Sequence, residues 1–443
     1  MPNAIPILSQ IRAGKLSGIE RLDLNCGLSD FPREIFDLAD SLQVLNLSGN
    51  ALSSLPDDLP RLHQLRVIFC SDNRFTELPA VLGQCPQLQM VGFKSNRIRS
   101  VPAAALPPQL RWLILTDNEL EALPSGIGDC TQLQKLMLAG NQLQQLPPQL
   151  AHCQQLELLR ISANRLSKLP SWLADMPRLT WLACGGNSDQ QNEAQTGLPS
   201  TPTMPVQWGR LTLQHTLGEG ASGVIYEAVL QANDNPHQHD LVAVKLFKGA
   251  VTSDGWPHSE LAACLAAGTH PHLIPLIGPL AGHPGGAQAL VMALIPPSFS
   301  TLALPPSLQT CTRDVYPAGT QFSLQKVLRI ALGVAHAAAH LHSRGKLHGD
   351  LYAHNLQCDA DGLCLLGDMG AAWFLPADNG SAQALQRLEV RAFGCLLEEL
   401  LTHCAEAANP TLTAVTTLRD SCLKAPAQRP LFNELVQTLL ALQ

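Results

Sequence analysis

Apolar and polar positions alternate along the first half of the chain with a long period. The pattern L-x-x-L-x-L-x-x-N-x-L-x-x-L-P recurs, and its Asn falls at 50, 73, 96, 118, 141, 164 and 187, at spacings of 22 or 23 residues. A Pro follows in step at 56, 79, 102, 124, 147 and 170, and a degenerate first copy starts at Leu22. Within each copy, alternating apolar residues such as Leu45 and Leu47 predict a short strand with one buried face. The Asn is placed to bond backbone groups where the chain turns. One such unit cannot bury its apolar face alone, so neighbours must stack into a curved array. Residues 4–18 are expected to form a helical cap.

The same alternation predicts three outward columns of side chains. The first reads Val44, Val67, Met90, Trp112, Lys135, Leu158 and Trp181; the second reads Asn46, Phe69, Gly92, Ile114, Met137, Arg160 and Ala183; the third is mostly small residues. Large apolar groups exposed on one face mark a contact site. The expected protein-partner residues are therefore Phe69, Met90, Trp112, Ile114, Met137, Leu158 and Trp181. Packing of this face against the second half of the chain is the other reading.

After Asn187 the period stops. Residues 188–207 are polar and rich in Pro, Thr and Gln, which reads as a linker. Beyond it, strand-like apolar runs flank Gly218, Gly220 and Gly223, end at Lys245, fill 290–295 and precede Asp368. An Ala-rich helical run begins near Glu260.

The chain has 443 residues, enough for two or three domains. A net charge of −7 argues against a general nucleic-acid binder. The N-terminus lacks a signal-peptide core, and no apolar run could span a bilayer. With 13 cysteines and no CxxC pair, reduced thiols in a cytoplasmic compartment are expected. Cys85, Cys130 and Cys153 recur with the repeat and read as packed residues.

The candidate chemistry lies in the second half. Glycines at 218, 220 and 223 between two strands allow backbone N–H groups to approach phosphate oxygens. Lys245 at a strand and Glu260 on the next helix could pair and hold the Lys against phosphates. Asn355 and Asp368 offer two oxygen ligands, which suits Mg²⁺. Asp350 could accept the proton of an attacking hydroxyl.

The first half, residues 19–187, resembles the leucine-rich repeat family. In the second, the glycine loop, Leu241-Val-Ala-Val-Lys245, Glu260, His348-x-Asp350-x-x-x-x-Asn355 and Asp368-x-Gly370 stand in the order of the eukaryotic-like protein kinases, and the resemblance covers residues 208–443. It implies a leucine-rich repeat solenoid of α/β class followed by an α+β bilobal kinase fold, with lobes 208–294 and 295–443. It implies ATP bound by Gly218, Gly220, Gly223, Ile225, Ala243, Lys245, Met292 and Ile295, with Mg²⁺ on Asn355 and Asp368. Asp350, Lys245 and Glu260 would be catalytic. The implied activity is phosphorylation of protein Ser or Thr, with the repeats recruiting a protein partner.

Several positions depart from the family. Gly349 replaces the Arg before the catalytic Asp, and Tyr352 replaces a Lys. Met369 replaces Phe. Asp368 and Glu389 are only 21 residues apart, without Ala-Pro-Glu, so the activation segment is truncated. Glu389 stands where the family has an Asp bracing the loop, and Arg429 loses its usual Glu. A pseudokinase scaffold and a small-molecule phosphotransferase of the aminoglycoside and choline kinase type remain open. Retention of the phosphate and metal residues argues against a decayed site, and the glycine triplet, Val242-Ala-Val-Lys245, Val390-x-x-Phe393-Gly394 and Arg429-Pro430 favour the protein kinases over the small-molecule enzymes.

Overall fold

The computed structural model describes residues 4–187, 204–220, 222–232, 239–248, 251–252 and 254–443. Most of the expected linker, residues 188–203, lies outside them. The chain divides into two compact units, Met1–Arg160 with Asn164–Arg178, and Ile161–Ala163 with Leu179–Gln443.

The first unit opens with helix α1 (Ala4–Arg12), shorter than the expected cap. Seven three-residue strands follow: β1 (Arg21–Asp23), β2 (Val44–Asn46), β3 (Val67–Phe69), β4 (Met90–Gly92), β5 (Trp112–Ile114), β6 (Lys135–Met137) and β7 (Leu158–Arg160). They pair in parallel and in register, Val44 beside Val67, Met90, Trp112, Lys135 and Leu158 in turn. This register reproduces the columns read from the sequence. The outer side of each repeat is a short 3-10 turn, as in Ala80–Gln84 and Pro148–His152, usually preceded by the Pro of the pattern. A repeat of 22 or 23 residues leaves little chain for more than such turns once strand and corner are built.

The repeated Asn ties one repeat to the last. Asn118 Nδ2 donates to Phe93 O of the preceding repeat at 2.9 Å and to Leu115 O of its own at 3.1 Å, while its Oδ1 accepts from Ile98 N at 2.9 Å. Asn50, Asn73, Asn96 and Asn141 repeat this geometry. Buried backbone groups at the corner are thereby satisfied, which explains why this position is Asn in every copy. Cys85, Cys130 and Cys153 are buried, and burial pushes their thiols up to about 11, 11 and 12. They are packing residues rather than reactive ones.

The second unit contains the strand of the last repeat, β8 (Trp181–Ala183), and then a mixed sheet. Its strands are β9 (Val206–Gln207), β10 (Leu211–Glu219), β11 (Gly223–Gln231), β12 (His239–Phe247), β13 (Leu276–Ala281) and β14 (Ala289–Ala293), ordered β10-β11-β12-β14-β13-β9. The end of the expected linker is therefore a strand, since Val206 and Gln207 pair with Leu280 and Ala281. Alternate residues Ala228, Leu230, Val242, Val244, Ala289 and Val291 form this lobe's core. Helix α2 (Pro257–Ala267) interrupts the sheet strands; it starts at a Pro suited to the first helical turn and ends at Gly268 with φ 67°.

The larger lobe is built on α3 (Leu324–Ser343), α4 (Asn379–Thr402), α5 (Pro410–Leu423) and α6 (Phe432–Leu440). Ser323, Asp378 and Asn409 cap the first three by accepting from Lys326 N, Ser381 N and Leu412 N. Short strands β15 (Ser300–Thr301), β16 (Lys346–Leu347), β17 (Leu356–Cys358), β18 (Cys364–Leu366) and β19 (Trp373–Phe374) carry the loops of the site. No helix among the described residues is long and apolar enough to cross a membrane.

Candidate active site

A cleft in the second unit is lined by Gly220, Gly223, Ile225, Lys245, Glu260, Met292, Leu366, Asp368 and Met369. Lys245 lies on β12, opposite Ile225 of β11 and Leu290 of β14. Its Nζ donates to Glu260 Oε1 of α2 at 2.7 Å and to Asp368 Oδ1 at 3.2 Å. Lys245 and Glu260 are buried, while the Asp368 side chain is 44% exposed. Burial disfavours the ammonium, but Asp368 and Glu260 outweigh it and raise its pKa. Burial likewise opposes charge on Asp368, yet Lys245 holds its carboxyl below the ordinary range. The cleft therefore presents a fixed cation beside an ionised carboxylate.

The glycine loop has two kinds of glycine. A Cβ at Gly223 would stand 2.4 Å from Leu246 O, so packing against β12 demands glycine there. At Gly218 and Gly220 a Cβ would meet nothing within 4 Å. Protein packing does not require those two, and open space above bare backbone is what close approach by phosphate oxygens needs. Ala243 pairs with Met292 across β12 and β14. Ile295 lies two residues beyond the end of β14.

The loop holding Asp350 and Asn355 is braced from behind. His348 is fully buried, and its Nε2 lies 2.8 Å from Gly367 O. Gly349 N donates to Glu389 Oε1 at 2.8 Å, and His342 Nε2 lies 2.7 Å from Glu389 Oε2. Burial opposes charge on Glu389, but His342 and Gly349 N–H outweigh it and lower its pKa. Glu389 is thus the brace expected from the sequence. Asn355 Nδ2 donates to Asp350 O at 2.8 Å and to Asp350 Oδ2 at 3.0 Å.

Asp368 adopts φ 50°, and its Oδ1 accepts from Gly370 N. Asn355 and Asp368 supply two oxygen donors. Among the described residues no cluster of three or more His, Cys, Asp or Glu could hold a metal. Asn and Asp are residue types that can give oxygen ligands to a hard cation such as Mg²⁺, which takes its remaining ligands from phosphate and water.

Residues 211–392 match the family described as protein tyrosine and serine/threonine kinase, and residues 41–62 and 131–188 match families described as leucine rich repeat. The chain is a leucine-rich repeat array followed by a protein kinase domain. Fibroblast growth factor receptor 1 of Pleurodeles waltl is 24% identical over 308 residues, covering 58% of this chain and 38% of the receptor. Tyrosine-protein kinase receptor TYRO3 of Gallus gallus is 29% identical over 168 residues, covering 37% of this chain and 19% of that protein. The chain thus spans less than two fifths of the length of these relatives.

The kinase domain carries features that sequence reasoning missed. Asp314 accepts from His354 N at 2.9 Å and lies 2.7 Å from His354 Nδ1, tying the loop to the preceding segment. Arg429, expected to lack its Glu, donates to Lys424 O at 2.9 Å and Arg387 O at 3.0 Å. Trp181, expected as an exposed partner-binding ring, is 1% exposed. It stacks on Tyr352 with ring centres 4.1 Å apart. The side of the strand that the alternation marks as outward is covered at Trp181 by the kinase domain's own loop. Met90 and Leu158 are buried too, while Phe69, Trp112, Ile114 and Met137 are half-buried.

Proposed function

We propose that the chain transfers the γ-phosphoryl group of ATP to a protein hydroxyl. The convergence of Lys245, Glu260 and Asp368 in one cleft carries this reading, because that triad holds a cation where nucleotide phosphates would lie. Bound ATP with Mg²⁺ would supply the phosphoryl donor and neutralise its charge. Gly218 and Gly220 leave room for the phosphates, and Lys245, fixed by Glu260, binds them. Ile225 and Met292 line the side of the cleft proposed for adenine, with Ala243 paired to Met292 behind them and Ile295 proposed to offer backbone groups. Asn355 and Asp368 hold the metal. Asp350, oriented by Asn355, accepts a hydrogen bond from the acceptor hydroxyl and takes its proton. Most of the acceleration comes from positioning and charge neutralisation.

The acceptor we propose is serine or threonine, and the compartment we propose for this chain is the cytoplasm. The name of the TYRO3 relative points to tyrosine instead, so phosphoamino-acid analysis belongs in the test. The repeats recruit the protein partner, and the half-exposed Phe69, Trp112, Ile114 and Met137 in aligned columns support that role.

The test is incubation of the full chain with labelled ATP and Mg²⁺, beside Asp350→Ala. Label on protein in the wild type and none in the variant is expected. ATP binding without transfer would favour a pseudokinase scaffold, and label on an amino sugar or choline would favour the small-molecule reading. Phosphotyrosine as product would replace the acceptor assignment alone.

A further inference from the structure

Two departures from the kinase pattern, Gly349 and Tyr352, flank Asp350 on either side. Both lie against β8, the strand of the last repeat. Gly349 has φ 74°, and a Cβ there would stand 2.5 Å from Ala371 O and 2.7 Å from Leu182 O. No side chain fits at 349 against these two carbonyl oxygens, one of them from β8. On the other flank, Trp181 stacks on Tyr352 at an interplanar angle of 8°, and its Nε1 donates to Leu351 O at 3.0 Å. Trp181 and Tyr352 are both buried.

Three successive residues of this segment are each tied to a different part of the kinase domain. Arg391 Nε of α4 donates to Thr180 Oγ1 at 3.1 Å. Trp181 holds the catalytic loop. Trp373 Nε1, in the segment after Asp368, donates to Leu182 O at 2.9 Å. The repeat strand thus bridges α4, the catalytic loop and the truncated activation segment, while Asp350 itself stays partly exposed.

We propose that Trp181 is a positioning residue of the catalytic loop, acting on Asp350 through Leu351 and Tyr352, so that loop geometry is set by the last repeat within the chain. The proposal rests on the kinase reading. Trp181 is buried and acts through the loop it packs against. It restrains the two residues that follow Asp350, as Glu389 and Asn355 restrain the loop from behind. A buried aromatic stack with a hydrogen bond to a main-chain carbonyl fixes both a side chain and a peptide plane. The odd residues at 349 and 352 are then adaptations to a neighbour, glycine to admit a backbone and tyrosine to receive a ring.

The test uses the full chain with Trp181→Leu, which removes stack and donor, and Trp181→Phe, which keeps a ring. Hydrogen exchange over residues 349–355 and steady-state phosphorylation are measured together. Trp181→Leu should speed exchange in that loop at least tenfold and lower kcat at least tenfold, with the Kd for ATP within about threefold of wild type. Trp181→Phe should recover part of both. In a cycle with Tyr352→Leu, the second substitution should add little to the first, because each removes the same stack. Unchanged loop exchange, or loss of ATP binding in parallel with kcat, would overturn the proposal. A wild type that transfers no phosphate would remove the kinase reading, and the exchange measurement would still decide whether Trp181 holds the loop.

Discussion

Lys245 and Glu260 form a buried ion pair, Nζ to Oε1 2.7 Å, that joins β12 to α2 across the cleft. Glu260→Ala leaves a buried ammonium with Asp368 as its remaining carboxylate partner here. Removing one member of a buried pair costs about 3–5 kcal/mol. We expect a lower Tm and at least a tenfold weaker Kd for ATP, read by calorimetry and thermal shift with and without nucleotide. Unchanged ATP affinity would detach the pair from nucleotide binding.

Gly349→Arg restores the residue usual in kinases, and it should harm the protein. The left-handed backbone alone costs a non-glycine residue about 1–3 kcal/mol. The two carbonyl oxygens within 3 Å of the new Cβ add to that. The expected result is a drop in Tm and lower transfer. Higher activity in Gly349→Arg would show that residue 349 is not held in this left-handed, closely packed conformation in solution.

Asn118→Ala should destabilise the repeats while sparing the cleft. The variant strands Ile98 N and Phe93 O, each costing about 1–3 kcal/mol if left unpaired. Urea unfolding should move to a lower midpoint with the Kd for ATP unchanged. A midpoint equal to wild type would mean that water replaces the amide.

Glu399 gives the protein a pH dependence of its own. Burial, reinforced by Asp314, pushes its carboxyl up to about 8, with Tyr316 donating to it at 3.2 Å. The folded state therefore binds a proton that the unfolded chain loses near pH 4–5. That contribution is full below the unfolded pKa and is lost as pH rises through about 8. Between pH 5 and 8 the Tm of wild type should fall relative to Glu399→Gln by several degrees. Parallel curves would show that Glu399 does not titrate in this window.

Much of the fold was legible because its rules are local. A fixed spacing of Asn and Leu makes each repeat add its strand in the same register, so the columns from Val44 to Leu158 followed from counting. The cleft residues were legible for a similar reason. Gly220, Gly223, Lys245, Glu260 and Asp368 each belong to a short motif whose order along the chain survives folding.

Other features were decided in three dimensions. The sequence shows Trp181 pointing outward from a strand, but what covers that side depends on where residues far along the chain come to rest. Only the fold puts Tyr352 over its ring and Leu351 O within reach of its Nε1. The same holds for Asp314 beside His354 and for the carbonyls that receive Arg429. The sequence alone determined the repeats and the order of the kinase-like motifs, since both rest on spacing. Tertiary structure decided why Gly349 and Tyr352 stand beside Asp350, because close packing between distant segments selects residues by the space and partners left to them.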